Sequence, residues 1–296
     1  MRSARRRAES PVLQAVFTGV PILFAALCVI PYVLVLSGSF TEERVLTSVG
    51  LSLVPPKLSL DAYRILFADM RRILNAYRIT LTTTVLGTFL SLLVNGMLAY
   101  VLSKRTLRYR RGLSFYCAFT MLFSGGMVPW YIVCVNYLRL YHQFWALVLP
   151  YVANAWHMFL LRNYFRSLPE EIFESASLDG AGELRTFFTI ALPLALPAIA
   201  SVGLFIALGY WNDWWLGIML TDGKELMPMQ LLLRAIVSNT LFLTSGNASH
   251  LATSAKPPAE GVKYATTIVT IGPILLLYPF VQRYFVKGLT VGSVKG

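Results

Sequence analysis

Long apolar runs separated by short polar stretches dominate the chain. They extend from about Val12 to Ser37, Ile79 to Leu102, Leu113 to Tyr137, Gln143 to Leu161, Ala195 to Leu220 and Ala265 to Phe285. A helix needs ~20 apolar residues to cross the hydrocarbon core of a bilayer. The pattern therefore predicts an all-α membrane protein with six transmembrane helices, which leaves both termini on one side. Residues 1–11 read as a tail and 12–296 as a single transmembrane domain.

Two polar segments lie on the side away from the termini. From Gly38 to Arg78 a Pro55-Pro56 turn precedes a predicted helix over Ser59–Ala76, with Tyr63, Leu66 and Phe67 at helical spacing. This segment reads as a lid on the bundle rather than a separate domain. From Thr221 to Val262 a short helix is expected from near Pro228 to Arg234, followed by a polar stretch from Thr244 to Pro258.

The insert between the fourth and fifth runs, Ser167 to Pro197, has a different pattern. Ser167 and Glu170 stand three residues apart with Pro169 between them, which predicts a capping box opening a helix. Asp179-Gly180 should stop it, Gly supplying positive φ and Asp capping a second helix through Glu183, Phe187 and Ile190. Pro193 and Pro197 then open the next span. Two short helices about a Gly bend are the expected product.

Composition agrees with this class. Of 296 residues, 56% are hydrophobic and 14% charged, whereas soluble domains carry about a quarter charged residues. A net charge of +12 would suit nucleic acid or a membrane surface, but the basic residues are dispersed at the ends of apolar runs. Membrane lipid is therefore the expected partner, and nucleic acid is not. Arg2, Arg5, Arg6 and Arg7, the group from Lys104 to Arg111, Arg162 with Arg166, and Arg283 with Lys287 all fall on the face of the termini. The Lys/Arg bias makes that face cytoplasmic. Arg71, Arg72 and Arg78 run against it, in a long loop where the rule is weaker. The first run exceeds a signal-peptide core and reads as a retained helix. Cys28, Cys117 and Cys134 fall inside apolar runs without paired spacing, and read as core residues.

At the insert the chain resembles a known family. Glu174-Ser175-Ala176, Gly180 after three residues, and Ile190-Ala191-Leu192-Pro193 after nine more resemble the EAA loop of permease subunits in bacterial ABC importers, with Ser where the second motif position is usually Ala. Phe123-Ser124-Gly125-Gly126 followed by Pro129 resembles the branch handling complex oligosaccharides, and the tail from Tyr278 to Gly296 is similar to that of carbohydrate permeases. The resemblance implies a type I importer fold in the bacterial cytoplasmic membrane, with a coupling loop over residues 167–193 between the fourth and fifth helices. It implies ATPase docking through Glu174, Ser175, Ala176, Asp179, Gly180, Ile190, Leu192 and Pro193. It also implies a homologous second permease, two ATPase subunits carrying ATP and Mg, and an extracytoplasmic solute-binding protein. The chain itself would bind no cofactor and catalyse nothing.

Two regions are candidates for a substrate path. Tyr210-Trp211-Asn212-Asp213 closes the fifth run, roughly 20 Å along a helix from Pro197 at 1.5 Å per residue. Aromatic residues there suit either an interfacial belt or stacking on sugar rings, and Asp213 is costly in a span unless it faces water, protein or substrate. Gly125-Gly126 before Pro129 weakens the third helix, for a kink, close packing or a pathway role. No Gly-x-x-x-x-Gly-Lys-Ser/Thr phosphate loop occurs, so energy must come from another subunit. His142, His157 and His250 are too scattered for a metal site. The alternative is a secondary carrier or channel for a small polar solute working without ATPases, which would usually show several acids at mid-membrane depth.

Overall fold

A computed structural model describes residues 11–223, 225–244 and 260–275. In order the described helices are α1 (Pro11–Ser39), α2 (Glu43–Val49), α3 (Asp61–Ala68), α4 (Met70–Ser103), α5 (Arg110–Leu122), α6 (Met127–Ile132), α7 (Leu149–Val152), α8 (Ala155–Phe165), α9 (Glu170–Leu178), α10 (Glu183–Thr186), α11 (Leu192–Leu194), α12 (Leu196–Trp211), α13 (Trp215–Leu220), α14 (Met229–Thr244) and α15 (260–275). A π turn, Val133–Tyr137, extends α6, and another, Phe187–Ala191, links α10 to α11. The chain divides into two compact units, Met1–Asp69 with Ile236–Ile271, and Met70–Ala235 with Gly272–Gly296.

In the first unit, the described apolar side chains of α1 are exposed around the whole helix from Val16 to Ile30. A helix apolar on every face belongs in an apolar surrounding, and α1 is long and apolar enough to cross a membrane. Cys28 lies on this exposed surface, not in a core. The segment after it folds back through a single bridge between Thr41 and Leu58 and an ion pair of Lys57 with Glu42 at 2.5 Å. The Glu43 carboxylate accepts the backbone N–H groups of Glu260 and Gly261 at 3.0 and 2.9 Å. The helix expected over Ser59–Ala76 is interrupted at Asp69, whose ψ of 66° ends α3, and α4 begins at Met70.

The second unit is built on α4, which packs against α12 and α8. Its buried stripe runs Ala76, Thr80, Thr83, Gly87, Ser91, Asn95, Ala99 and Leu102 at intervals of three or four residues. Seven of these eight are small or short polar residues, and they let neighbouring backbones approach closely where lipid removes the usual hydrophobic drive between helices. A Cβ at Gly87 would stand 2.5 Å from the Tyr210 ring, and one at Gly203 3.1 Å from Leu92.

The remaining apolar runs are broken rather than straight. α5 and the helix Met127–Tyr137 meet at 112°, Phe144–Val152 and α8 at 49°, and Glu183–Leu194 and α12 at 85°. Among the described residues two helices, α1 and α4, are long and apolar enough to cross a membrane unbroken, or five spans if each bent pair counts as one. The sharpest break falls at Gly125-Gly126, where Gly126 takes φ +86° and Ser124 Oγ accepts its N–H at 3.2 Å. The fifth run also ends early: α12 stops at Trp211 instead of continuing to Leu220. Of the sixth run, residues 265–275 are helical; its remainder, the C-terminal tail and the N-terminal Arg cluster lie outside the described residues.

Candidate functional site

The insert folds as two short helices about a Gly bend. Glu170 and Glu171 occupy the first turn of α9, where negative charge complements the helix dipole. The expected capping box is absent. Ser167 Oγ donates to the Tyr164 carbonyl at 2.7 Å, and the N-cap is Pro169, which offers no side-chain acceptor. The stop forms at the expected glycine. Gly180 takes φ +74°, its N–H reaches the Ser177 carbonyl at 3.1 Å, and the Ala181 N–H reaches Ala176 at 3.0 Å. These are the paired bonds of a Schellman stop. Asp179 is the C-cap of α9 and does not cap α10, which starts from Gly182 without a side-chain acceptor.

The loop is anchored to the end of α4. Tyr100 meets the rings of Phe165, Phe173 and Phe187 at centroid distances of 5.9, 6.0 and 5.4 Å. Its hydroxyl donates to Glu183 Oε2 at 3.1 Å, and Lys104 Nζ donates to the same oxygen. Arg105 lies 3.6 Å from Glu170. The hydrogen bond from Lys104 holds the Glu183 carboxyl below its usual range, against a smaller opposing effect of burial. For Lys104 burial opposes the charge, but hydrogen bonds to Glu183 and Tyr100 outweigh it and raise the pKa. A groove of about 320 Å³ lies alongside, lined by Val101, Lys104, Thr106, Leu107, Arg108 and Glu183. Sequence reasoning treated Lys104 and Arg105 only as topology signals. A basic pair directly after a span, with acids at both helix starts of the next loop, is the signal it passed over.

The structure sorts the expected docking residues by face. Ala176 is buried, Ile190 and Leu192 are half-buried, and Glu174, Ser175, Asp179, Gly180 and Pro193 are exposed. Beside the exposed group stand two residues that the motif did not name, Leu178 at 89% exposure and Leu184 at 63%. The tip therefore presents apolar and acidic groups together.

The expected substrate-path residues separate. Tyr210 is buried, its hydroxyl donating to the Val148 carbonyl at 2.8 Å and lying 3.3 Å from Ser91 Oγ. Trp211 is buried as well, with its Nε1 unpaired among the described residues. Asn212 is exposed and Asp213 half-buried in the break before α13. Asp213 Oδ2 accepts the Leu216 N–H at 3.2 Å, one of the free donors at that helix start. Gly125 and Gly126 are exposed in their own break, apart from any buried cluster.

The comparisons with known proteins bear on this geometry. The family described as binding-protein-dependent transport system inner membrane component matches residues 93–291, including the whole loop. The chain belongs to this family. YtcP of Bacillus subtilis (strain 168), a polygalacturonan/rhamnogalacturonan transport system permease protein, is 40% identical over 279 residues, 94% of this chain and 96% of its own length. Protein LplC of the same organism is 37% identical over 272 residues, covering 92% and 90%. A solved bacterial ABC transporter involved in the import of the acidic polysaccharide alginate has a chain that superposes with a TM-score of 0.79 at 29% identity, covering 96% of this chain and 99% of that one. The family is that of ABC importer permeases, and such a permease is a membrane-embedded component that works with a partner permease, an ATPase and a binding protein.

Proposed function

We propose that this chain is the non-catalytic permease subunit of an ATP-driven importer that moves oligosaccharides across the cytoplasmic membrane by alternating access. In this reading it pairs with a homologous but distinct permease, two ATPase subunits that hold ATP and Mg, and a binding protein that delivers the sugar. Both termini and the loop of α9 and α10 face the cytoplasm. Relatives named for polygalacturonan, rhamnogalacturonan and alginate support fragments of polysaccharides as the cargo.

The observation that carries the reading is the loop itself. Its tip, with Glu174, Leu178, Asp179 and Leu184, is exposed, while its root is held by Tyr100, Lys104 and the buried Phe187. A rigid element with a free end transmits displacement, so an ATPase gripping the tip would move α4 and α12 with it. Asn212 and Asp213, in the break before α13, are the residues we assign to the sugar path. Tyr210 serves packing instead.

The test is reconstitution of the assembled complex in vesicles. Uptake should require ATP and the binding protein, and replacing Leu178 and Leu184 together by Asp should abolish sugar-stimulated ATP hydrolysis. Sugar transport by the isolated chain down an ion gradient would overturn the reading.

A further inference from the structure

The break between α12 and α13 lies beside a cation that no acid balances among the described residues. Arg234 on α14 is exposed, and its guanidinium carbon lies 3.8 Å from the centroid of the half-buried Trp214 ring. Among the described residues no carboxylate pairs with it. Asp213 is turned to the Leu216 N–H and the Tyr151 hydroxyl, and Asp222 lies 3.9 Å from His142. One turn before Arg234, Gln230 shares its face of the helix. The Gln230 amide donates to Asn212 Oδ1 at 3.1 Å, and Asn212 in turn donates to the Leu208 carbonyl at 2.9 Å. Gln230 Oε1 and the guanidinium N–H groups are left without protein partners among the described residues.

This arrangement has a chemical consequence. Stacking on the indole uses the π-face of the guanidinium and none of its donors, so it fixes the plane of the group while leaving the N–H fork open along its edge. A planar fork matches a carboxylate through two parallel hydrogen bonds. The Gln230 carbonyl beside it accepts from a hydroxyl. A neutral sugar would satisfy the amide alone and leave the guanidinium fork without an anion, whereas a uronate satisfies both.

We propose that Arg234, stacked on Trp214 and flanked by Gln230 and Asn212, selects the carboxylate of an acidic, uronate-bearing oligosaccharide on its way through the permease. The proposal rests on the importer reading above. Gln230 and Asn212 orient the sugar hydroxyls, and Arg234 sets the specificity.

The experiment measures ATP-dependent uptake of radiolabelled trigalacturonate and its fully methyl-esterified form by vesicles holding the complete transporter and its binding protein. Wild type should favour the acid, and Arg234→Gln should lower acid uptake about tenfold or more, the scale of a lost charge-assisted hydrogen-bond pair, while ester uptake stays level. Arg234→Lys should recover part of the preference. An equal fall for both sugars would mean a scaffolding or lipid-headgroup role and would overturn the proposal, as would no change for either. A wild-type complex that imports neutral maltotriose but neither trimer would overturn it and leave the importer reading standing. No ATP-dependent uptake of any sugar would remove both.

Discussion

Lys104, the residue after α4, donates its ammonium proton to Glu183, the first residue of α10, so the bundle grips the loop at the point where the second short helix begins. Glu183 is largely exposed, which limits an isolated pair of this kind to ~0.2–1 kcal/mol of stability. Its value is positional. Lys104→Glu should cut sugar-stimulated ATP hydrolysis several-fold with little change in melting temperature, and the exchange Lys104→Glu with Glu183→Lys should restore most of it. A double variant no better than the single ones would show that the charges act separately.

The same pair sets a pH window. The Glu183 pKa is lowered, so its contribution is present above the ordinary carboxyl range and is lost as pH falls through the depressed value. The Lys104 pKa is raised, so its contribution is complete below the ordinary amine range and is lost as pH rises through the elevated value. The protection of amides at residues 170–186, taken as the exchange rate relative to that of an unstructured chain at the same pH, should therefore be constant through neutral pH and weaken below about 4 and above about 10, near the ordinary Glu and Lys values. A loss of protection centred at neutral pH would contradict the assignment.

Gly180 tests the bend apart from its contacts. A Cβ there would meet nothing within 4 Å, so any penalty comes from the φ of +74° alone. Gly180→Ala should cost ~1–2 kcal/mol, and Gly180→Asn less, because Asn tolerates the left-handed region. Thermal unfolding in detergent should give the order Gly, Asn, Ala, Val. Equal stability across the series would mean that the bend re-forms elsewhere.

Gly87 is the opposite case, limited by space. Its neighbour Tyr210 cannot swing aside, since the hydroxyl is tied to Val148 and the ring is buried. Gly87→Ala should destabilise by ~1–3 kcal/mol through overpacking, and Tyr210→Leu in the same chain should recover part of it. Melting temperatures of the single and double variants decide the matter.

Asn95 holds the break before α8. It is buried, donates to Ser91 and Val152 carbonyls at 2.7 Å each, and accepts the Asn154 N–H at 2.9 Å. Asn95→Leu keeps the number and branching of side-chain heavy atoms but strands buried backbone groups, at a cost of ~2–4 kcal/mol. An unchanged melting temperature would show that the break is held by other contacts.

These residues mark where the sequence was legible. The Gly180 stop was readable because a Schellman turn is decided within six residues, and the resemblance at Glu174 to Pro193 rested on spacing in one loop. The helix start at Ser167 was misread for an equally local reason: a nearby carbonyl, at Tyr164, captured the hydroxyl intended for the cap. The burial of Tyr210 has a distant cause instead. Its burial depends on Gly87, more than a hundred positions earlier in the chain, and no window around Trp211 contains that fact. The early end of α12 likewise hides in an apolar composition that continues unchanged to Leu220. Apolarity reports the surroundings of a run but not its straightness, so the bend at Gly126 could be suspected without its angle.

The π turn over Phe187–Ala191 gives the chain a tolerance of a different kind. A turn closed from Leu192 N–H to the Phe187 carbonyl holds one residue more than an α-helical turn. Removing a single residue there would let the ladder close as ordinary helix with both flanks still in phase, whereas the same deletion in α4 would rotate everything beyond it by about 100°. The root of the loop is thus a place where the length of this chain can change by one without its far ends losing register.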